Sequence, residues 1–283
     1  LLVSDPCPVA QVLTTVATAL WVVVHLTRRD TPAMCDALKQ QGIFDLLEGF
    51  LNKDSEDIQR ECVWLLSYLT SEQGHAEAVI EANVLESVVN MASAEDRDTV
   101  IGALRTLGNL CSKPDPEFTN AVLRFQDELF PALAVILRGN SRIHTREALW
   151  VISNIAGGTL EQVDALMESG VCPELRRLMY EQAMDIKLEV AYCIANLAAD
   201  GRYLRDLVTP EETAEFVSML RSSSTEAIQM SLRFLTFLME SLGQHGVDMV
   251  RSCGGVEALY ELEESPVDSI RQGASSTVER FFE

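Results

Sequence analysis

The chain has 283 residues, a formal net charge of −21 at pH 7 and a sequence pI of about 4.5. Such acidity argues against DNA or RNA as the main partner, because nucleic acid requires a basic face, and it favours a cationic partner. The alternative interpretation is that the net negative charge only keeps the chain soluble. Seven cysteines without a C-x-x-C pair indicate a reducing compartment, and the scattered histidines predict neither a metal site nor a cofactor.

The first predicted element, residues 9–26, carries no charged side chain and reaches the lower limit of length for a membrane span. Polar side chains within it, such as Gln11, Thr14 and His25, argue against burial in lipid. Residues 19–26 also match residues 148–155 position by position. We therefore expect a buried helix and no membrane association. The start at Leu1, without a methionine, predicts a fragment of a longer chain.

The segment Thr145–Ala156 recurs along the chain at intervals of roughly 41 to 45 residues, which is the period of armadillo or HEAT arrays. The position of Ala148 is matched by Ala19, Cys62, Ala103, Val190, Ser231 and Ala274. Read as a helix, the segment has one apolar stripe, formed by Ala148, Leu149, Ile152 and Ile155. The sequence therefore predicts an all-α fold, a right-handed armadillo-repeat superhelical solenoid of about seven repeats that spans residues 1–283 as one domain.

The recurrent helices are predicted near residues 12–24, 57–70, 97–111, 144–157, 185–200, 225–241 and 268–282. An apolar segment precedes each of them. Pro131 and Pro173 are expected in the first turn of such preceding helices, where proline is tolerated. Gly42, Gly170 and Gly255 are expected to end the elements before them.

A second face of the recurrent helices carries side chains four residues apart that suit an extended peptide. Trp offers a flat apolar face with a negative quadrupole, and Asn offers a donor and an acceptor. Along the chain the pairs are Trp21 with His25, Trp64 with Tyr68, Arg105 with Asn109, Trp150 with Asn154, and Tyr192 with Asn196 followed by Asp200. The sixth and seventh copies, with Arg233 and Ser276 at the Trp position, lose the pattern. The candidate peptide-binding residues are Trp21, Trp64, Asn109, Trp150, Asn154, Tyr192, Asn196 and Asp200.

The strings EALWVISNIAGGTLEQ at 147–162 and IANLAADG at 194–201, followed by LRDLV, resemble successive repeats of importin α, the armadillo adaptor family for nuclear localisation signals. The resemblance implies that indoles sandwich lysine side chains of the signal and that Asn amides hold its backbone. It also implies that an acidic residue one turn after an Asn, here Asp200, takes a lysine ammonium. On this basis we expect Asp200 to contribute more to binding than Trp150. Arg105 departs from the family pattern and should repel a basic peptide.

The resemblance implies an importin-α-like adaptor that binds a Lys/Arg-rich nuclear localisation signal of a cargo protein in an acidic concave groove, for import from the cytoplasm into the nucleus. The basic importin-β-binding segment of the family is absent from this sequence, so contact with importin-β would need a segment outside it. The departures predict a divergent importin-α-like paralogue. The alternative is an armadillo scaffold or assembly chaperone that wraps a specific protein partner without reading a signal peptide.

Several of these residues also have a purely structural interpretation. Asn109, Asn154 and Asn196 can instead bond to the backbone of a neighbouring repeat, and Asp200 can simply end a helix before a glycine. Glu147 is expected on a solvated face. The sequence has no G-x-S-x-G, P-loop or zinc motif, so we expect no catalytic residue and no enzyme.

Overall fold

The computed structural model describes residues 8–53, 55–72, 74–181 and 183–283, and these residues form nineteen α-helices and no β-strand. The helices, numbered in chain order, are α1 Pro8–Thr27, α2 Thr31–Gln40, α3 Phe44–Leu51, α4 Glu56–Ser71, α5 Ala76–Glu81, α6 Leu85–Met91, α7 Arg97–Cys111, α8 Pro116–Leu123, α9 Gln126–Arg138, α10 Arg142–Ala156, α11 Leu160–Glu168, α12 Cys172–Glu181, α13 Met184–Ala198, α14 Leu204–Leu207, α15 Pro210–Met219, α16 Thr225–Leu242, α17 Gln244–Ser252, α18 Gly255–Leu262 and α19 Asp268–Phe281.

The helices belong to two compact units, of which one ends at Ser169 and the other begins at Gly170. In the first unit the recurrent helices α1, α4, α7 and α10 pack in succession, and in the second unit α13, α16 and α19 do the same. Each begins and ends within about one turn of its predicted bounds, and two shorter helices separate consecutive ones. The all-α repeat prediction is confirmed. That residues 1–283 form a single solenoid stays a prediction.

Short polar side chains begin several of the helices, because they satisfy backbone N–H groups that have no partner within the helix. At the start of α7, Asp96 accepts from the backbone N–H and the hydroxyl of Thr99, at 2.8 and 2.7 Å. At the start of α11, Thr159 and Gln162 form a reciprocal capping box. These caps fix the starts of α7 and α11.

The two prolines behave differently. Pro173 is the second residue of α12, as predicted. Pro131 lies inside α9, so its predicted place in a first turn is wrong. The acidic side chains of Asp127 and Glu128 favour a start more than one turn earlier, because they face the positive end of the helix dipole. Pro131 then lacks the N–H that would bond within the helix, and its ring crowds the carbonyl group four residues earlier, so it weakens α9 at this point.

The glycines that were expected to end elements are mostly placed as predicted. Gly42 and Gly170 have φ angles of +73° and +77°, a conformation that glycine adopts at little cost. Gly255 instead opens α18, and its neighbour Gly254 takes the left-handed conformation, with φ of +75°. The prediction for Gly255 was therefore wrong by one residue.

The apolar stripe of the recurrent helices forms the core. In α10 its side chains are fully buried, each 0% exposed: Ala148, Leu149, Ile152 and Ile155. The equivalent residues Cys62 in α4 and Ala103 in α7 are also 0% exposed, which confirms the register of the repeats. Burial raises the pKa of the Cys62 thiol to about 12, so this side chain acts as a small apolar group.

Helix α1 is less buried than predicted. Leu20, Val24 and Thr27 are buried, whereas Trp21 and Leu26 are 49% and 47% exposed. Among the described helices, the main neighbours of α1 are α2 and α4. The expectation of a buried helix therefore holds for the side of α1 that carries Leu20, Val24 and Thr27, and the exposed side carries the candidate residue Trp21. Across the described ranges, no helix combines the length and apolar character needed to span a membrane.

Candidate functional site

The predicted peptide-binding residues of the first unit share one face. Trp21 and Trp64 line a cleft of about 470 Å³, called here the first cleft. Asn109 and Trp150 line a neighbouring one of about 350 Å³, the second cleft. Arg105 borders both clefts. The three tryptophans therefore lie on one continuous face of α1, α4 and α10, as their shared position in the repeat predicts.

At the outer end of the first cleft, Trp21 is covered by a side chain of its own helix. The ring centroids of Trp21 and His25 are 3.9 Å apart, with the ring planes inclined by 37°. Nδ1 of His25 lies 2.8 Å from the carbonyl oxygen of Trp21. Because a carbonyl oxygen only accepts, this contact assigns the proton to Nδ1. His25 thus takes the place of the amide that other repeats carry.

Trp150 lies against the preceding recurrent helix at Gly108. A Cβ placed on Gly108 would come within 3.0 Å of Cη2 of Trp150, and nearer still to Cζ3 and Cε3. Only glycine therefore allows the indole to approach α7 so closely. Nδ2 of Asn154 donates to the carbonyl oxygen of the same Gly108, at 3.1 Å. Gly108 thus positions both members of the Trp150–Asn154 pair, which the sequence analysis missed.

Asn109 makes the corresponding bonds one repeat earlier. Its Nδ2 donates to the carbonyl oxygen of Ser67 at 2.8 Å and lies 3.2 Å from the hydroxyl oxygen of Thr70. For Asn109 and Asn154 the structural interpretation therefore applies, since both amides bond to the preceding repeat. Asn154 also has an acceptor oxygen and a second N–H, and Asn109 has an acceptor oxygen, so peptide binding by these two residues stays a prediction.

Arg105 occupies the space between the two clefts. The carbon atom at the centre of its guanidinium lies 5.3 Å from the ring centroid of Trp64, within cation–π range. Its Nε and Nη2 donate to Oε1 of Glu147 at 3.0 and 2.8 Å. The Glu147 side chain is only 17% exposed, so its assignment to a solvated face was wrong. Arg105 and Glu147 are one repeat apart, which is the signal that could have revealed this pair.

The lining of the two clefts is balanced in charge. Three carboxylates and three guanidinium groups border them: Glu61, Asp98, Glu147, Arg28, Arg60 and Arg105. Burial raises the pKa of the Glu61 carboxyl, although the charge of Arg60 opposes this effect. The prediction of an acidic groove therefore fails for these two clefts, even though the chain as a whole is strongly acidic.

In the second unit, Tyr192 and Asn196 are half-buried on α13. The hydroxyl of Tyr192 donates to Oε1 of Glu226 on α16 at 2.9 Å. Burial, together with this bond to a carboxylate, raises the pKa of Tyr192. Tyr192 therefore has a structural partner on the next recurrent helix, and its hydroxyl stays protonated at neutral pH.

Asp200 lies beyond the end of α13, which stops at Ala198 rather than at the predicted residue 200. Its Oδ1 accepts from the backbone N–H of Arg202 at 3.0 Å, and its Oδ2 pairs with the guanidinium of the same residue. The bond with Arg202 lowers the pKa of Asp200. This carboxylate is exposed and ionised, and it already has a cation of the chain beside it.

The profile of the Armadillo/beta-catenin-like repeat matches residues 31–71, 73–112 and 159–199. Over 95% of its length, the chain is 26% identical to importin subunit alpha-9 of Arabidopsis thaliana and 25% identical to importin subunit alpha-2 of Oryza sativa subsp. japonica. The chain spans about half the length of these relatives, 55% and 54% respectively.

Solved structures show the same fold. A designed armadillo repeat protein in complex with the peptide (KR)4 has a TM-score of 0.75 at 21% identity, over 84% of this chain and 99% of that one. A computationally designed armadillo repeat protein for modular peptide recognition has a TM-score of 0.76 at 20% identity, with 84% and 99% covered. The chain thus has the fold of armadillo-repeat proteins, three of its segments match the armadillo repeat, and it is similar to importin α subunits over nearly its whole length.

Proposed function

We propose that this chain binds an extended, Lys/Arg-rich segment of a cargo protein, as an importin-α-like adaptor for nuclear localisation signals. The observation that carries the proposal is the recurrence of Trp21, Trp64 and Trp150 on one face of the first unit. The role is one of binding, not catalysis. In the first unit, the residues proposed to contact such a segment are Trp21, Trp64, Asn109, Trp150 and Asn154. The second unit has its own candidates, Tyr192, Asn196 and Asp200.

The comparisons support the same function. The relatives that match 95% of the chain are named importin α subunits, and a protein of the same fold is described as binding a peptide of alternating lysine and arginine. By analogy, the chain would move between cytoplasm and nucleus, and any contact with importin-β would need a segment outside residues 1–283. The partner is a protein, not nucleic acid or a membrane.

The chemistry of the face suits such a ligand. An exposed contact between a lysine and an indole contributes about 0.5–1 kcal/mol, rising to about 2 kcal/mol when water is excluded. The indole of Trp150 is half-buried and borders the second cleft, so its remaining surface is available to an aliphatic stem. The acceptor oxygens of Asn109 and Asn154 can pair with backbone N–H groups of an extended peptide.

The test is the affinity of the chain for one lysine-rich peptide, measured at low and at high salt. Trp150→Ala should weaken binding by about 0.5–2 kcal/mol, roughly two- to thirtyfold. Binding to the parent chain should also weaken as salt screens the charges. The matched control is Tyr260→Ala, which removes an aromatic side chain that is 47% exposed on α18, not on a recurrent helix. A peptide in which every lysine is replaced by glutamine controls for non-specific binding.

The alternative function, a scaffold or assembly chaperone for a specific protein, is favoured by one observation. The amides of Asn109 and Asn154 bond to the preceding repeat, as a purely structural residue would. If Trp150→Ala and Tyr260→Ala bind the peptide equally and salt has no effect, the scaffold interpretation replaces the adaptor.

A further inference from the structure

We propose that Arg105 is a resident cation, which occupies the place on Trp64 that a lysine of a ligand would otherwise take. Arg105 thereby sets the specificity of the first unit, because it excludes a cationic side chain at this point of the face. The inference rests on the proposed peptide-binding function and adds to it the class of side chain accepted at one position.

The contacts of Arg105 are those that a bound lysine would need. One neighbouring repeat supplies the indole of Trp64, 5.3 Å from the guanidinium carbon. The other supplies the carboxylate of Glu147, which accepts two hydrogen bonds at 3.0 and 2.8 Å. A cation held between an aromatic face and a carboxylate combines two favourable electrostatic contacts. Here one side chain of the protein itself makes both contacts.

The position is accessible to a ligand. The Arg105 side chain is 44% exposed, and it borders both clefts of the first unit. An extended segment that runs along both clefts must therefore pass Arg105. A lysine at this point would have to displace the guanidinium from Trp64 and Glu147, or lie beside a like charge, and both are unfavourable.

The consequence is a defined preference. A neutral or acidic side chain should be accepted opposite Trp64, because it can approach the guanidinium without repulsion. Lysines should bind elsewhere, for example at Trp150, because the equivalent place in the next repeat is occupied by Tyr192 and not by an arginine. The first unit would then recognise a segment whose positive charges are interrupted, rather than an unbroken basic run.

The experiment uses Arg105→Gln and Arg105→Ala in the whole chain, with an unbroken lysine-rich peptide as the probe. Either variant should bind this peptide roughly two- to thirtyfold more tightly than the parent, since the indole of Trp64 and the carboxylate of Glu147 become available to a lysine. The control is Arg124→Gln, which removes the same charge from an exposed residue at the end of α8, outside both clefts. It should change the affinity much less.

A second series keeps the chain constant and changes the peptide, with each lysine in turn replaced by glutamate. At one position the replacement should be tolerated by the parent chain but should weaken binding to Arg105→Gln. Thermal unfolding of each variant checks that substitution of the half-exposed Arg105 side chain leaves the fold intact. If the Arg105 and Arg124 variants gain the same affinity for the peptide, the gain comes only from the change of net charge, and the inference is overturned.

The outcomes separate the inference from the proposed function. If the parent binds the lysine-rich peptide and Arg105→Gln binds it no better, the function stands and the inference fails. If the parent does not bind but Arg105→Gln does, the inference stands and the proposed function of the natural chain fails. If neither binds, both fail.

Discussion

Gly108→Ala tests the geometry on which the Trp150–Asn154 pair depends. Gly108 lies inside α7, where alanine is normally the better helix former. An added Cβ would nevertheless meet the indole of Trp150, 3.0 Å from Cη2 and nearer to Cζ3 and Cε3. Carbon atoms are in favourable contact at about 3.5–4.0 Å, so the indole has to move away from α7.

The expected magnitude follows from two opposing effects. In a helix interior, replacing glycine by alanine normally stabilises by about 0.5–1 kcal/mol. A half-buried indole hides on the order of 100 Å² of its surface, which at about 25 cal/mol per Å² corresponds to roughly 2–3 kcal/mol. Loss of about half of this contact, together with about 1 kcal/mol for the bond from Asn154, costs roughly 2 kcal/mol. The free energy of unfolding should therefore fall by about 1 kcal/mol instead of rising.

The assay is thermal or urea unfolding of the parent chain and of matched variants. Gly49→Ala is the control, because Gly49 lies inside α3 with no atom within 4 Å of its added Cβ, so it should stabilise by about 0.5–1 kcal/mol. In a Trp150→Ala background the clash disappears, and Gly108→Ala should then stabilise in the same way. If Gly108→Ala stabilises the parent chain as much as Gly49→Ala does, the indole does not rest on Gly108.

Two further predictions concern stability. Ala148→Leu should destabilise by about 1–3 kcal/mol through overpacking of a site that is 0% exposed, and an unchanged unfolding temperature would mean that the packing around α10 is looser than described. Asp96→Ala removes the cap of α7 and should cost about 1 kcal/mol at neutral pH. Partial burial opposes ionisation of Asp96, but its hydrogen bonds and the charge of Arg60 hold its pKa below the usual value. Its contribution is therefore present above about pH 4 and lost as pH falls further, so the variant should lose less stability than the parent between about pH 4 and pH 2, whereas equal losses would contradict this assignment.

The repeat period made most of the fold predictable. A buried stripe must recur with every helix that packs on its neighbours, so the position of Ala148 located Cys62 and Ala103 in the core of the first unit. The extent of burial of α1 was not predictable in the same way. Leu26 matches Ile155, which is 0% exposed in α10, but Leu26 itself is 47% exposed, because exposure depends on which neighbours cover a side chain.

The candidate site was predictable as a face but not as a set of contacts. Whether Asn154 bonds to a peptide or to Gly108 depends on the distance between α7 and α10, which the sequence does not specify. Arg105 appeared only as a departure from the pattern, although Glu147, one repeat later, was its partner. A residue that breaks a repeat pattern is best compared with the residues one period before and after it.

The contacts of Asp200 also change the expected order of the contributions to peptide binding. By resemblance, Asp200 should contribute more than Trp150. Asp200 is exposed and already paired with Arg202, and an exposed ion pair contributes little because water screens it. A ligand lysine would exchange one cation for another at Asp200, whereas at Trp150 it would cover an indole surface that borders an open cleft. The gain from an exchange is only the difference between two similar contacts, so Trp150 is the residue on which affinity for a lysine should depend more strongly.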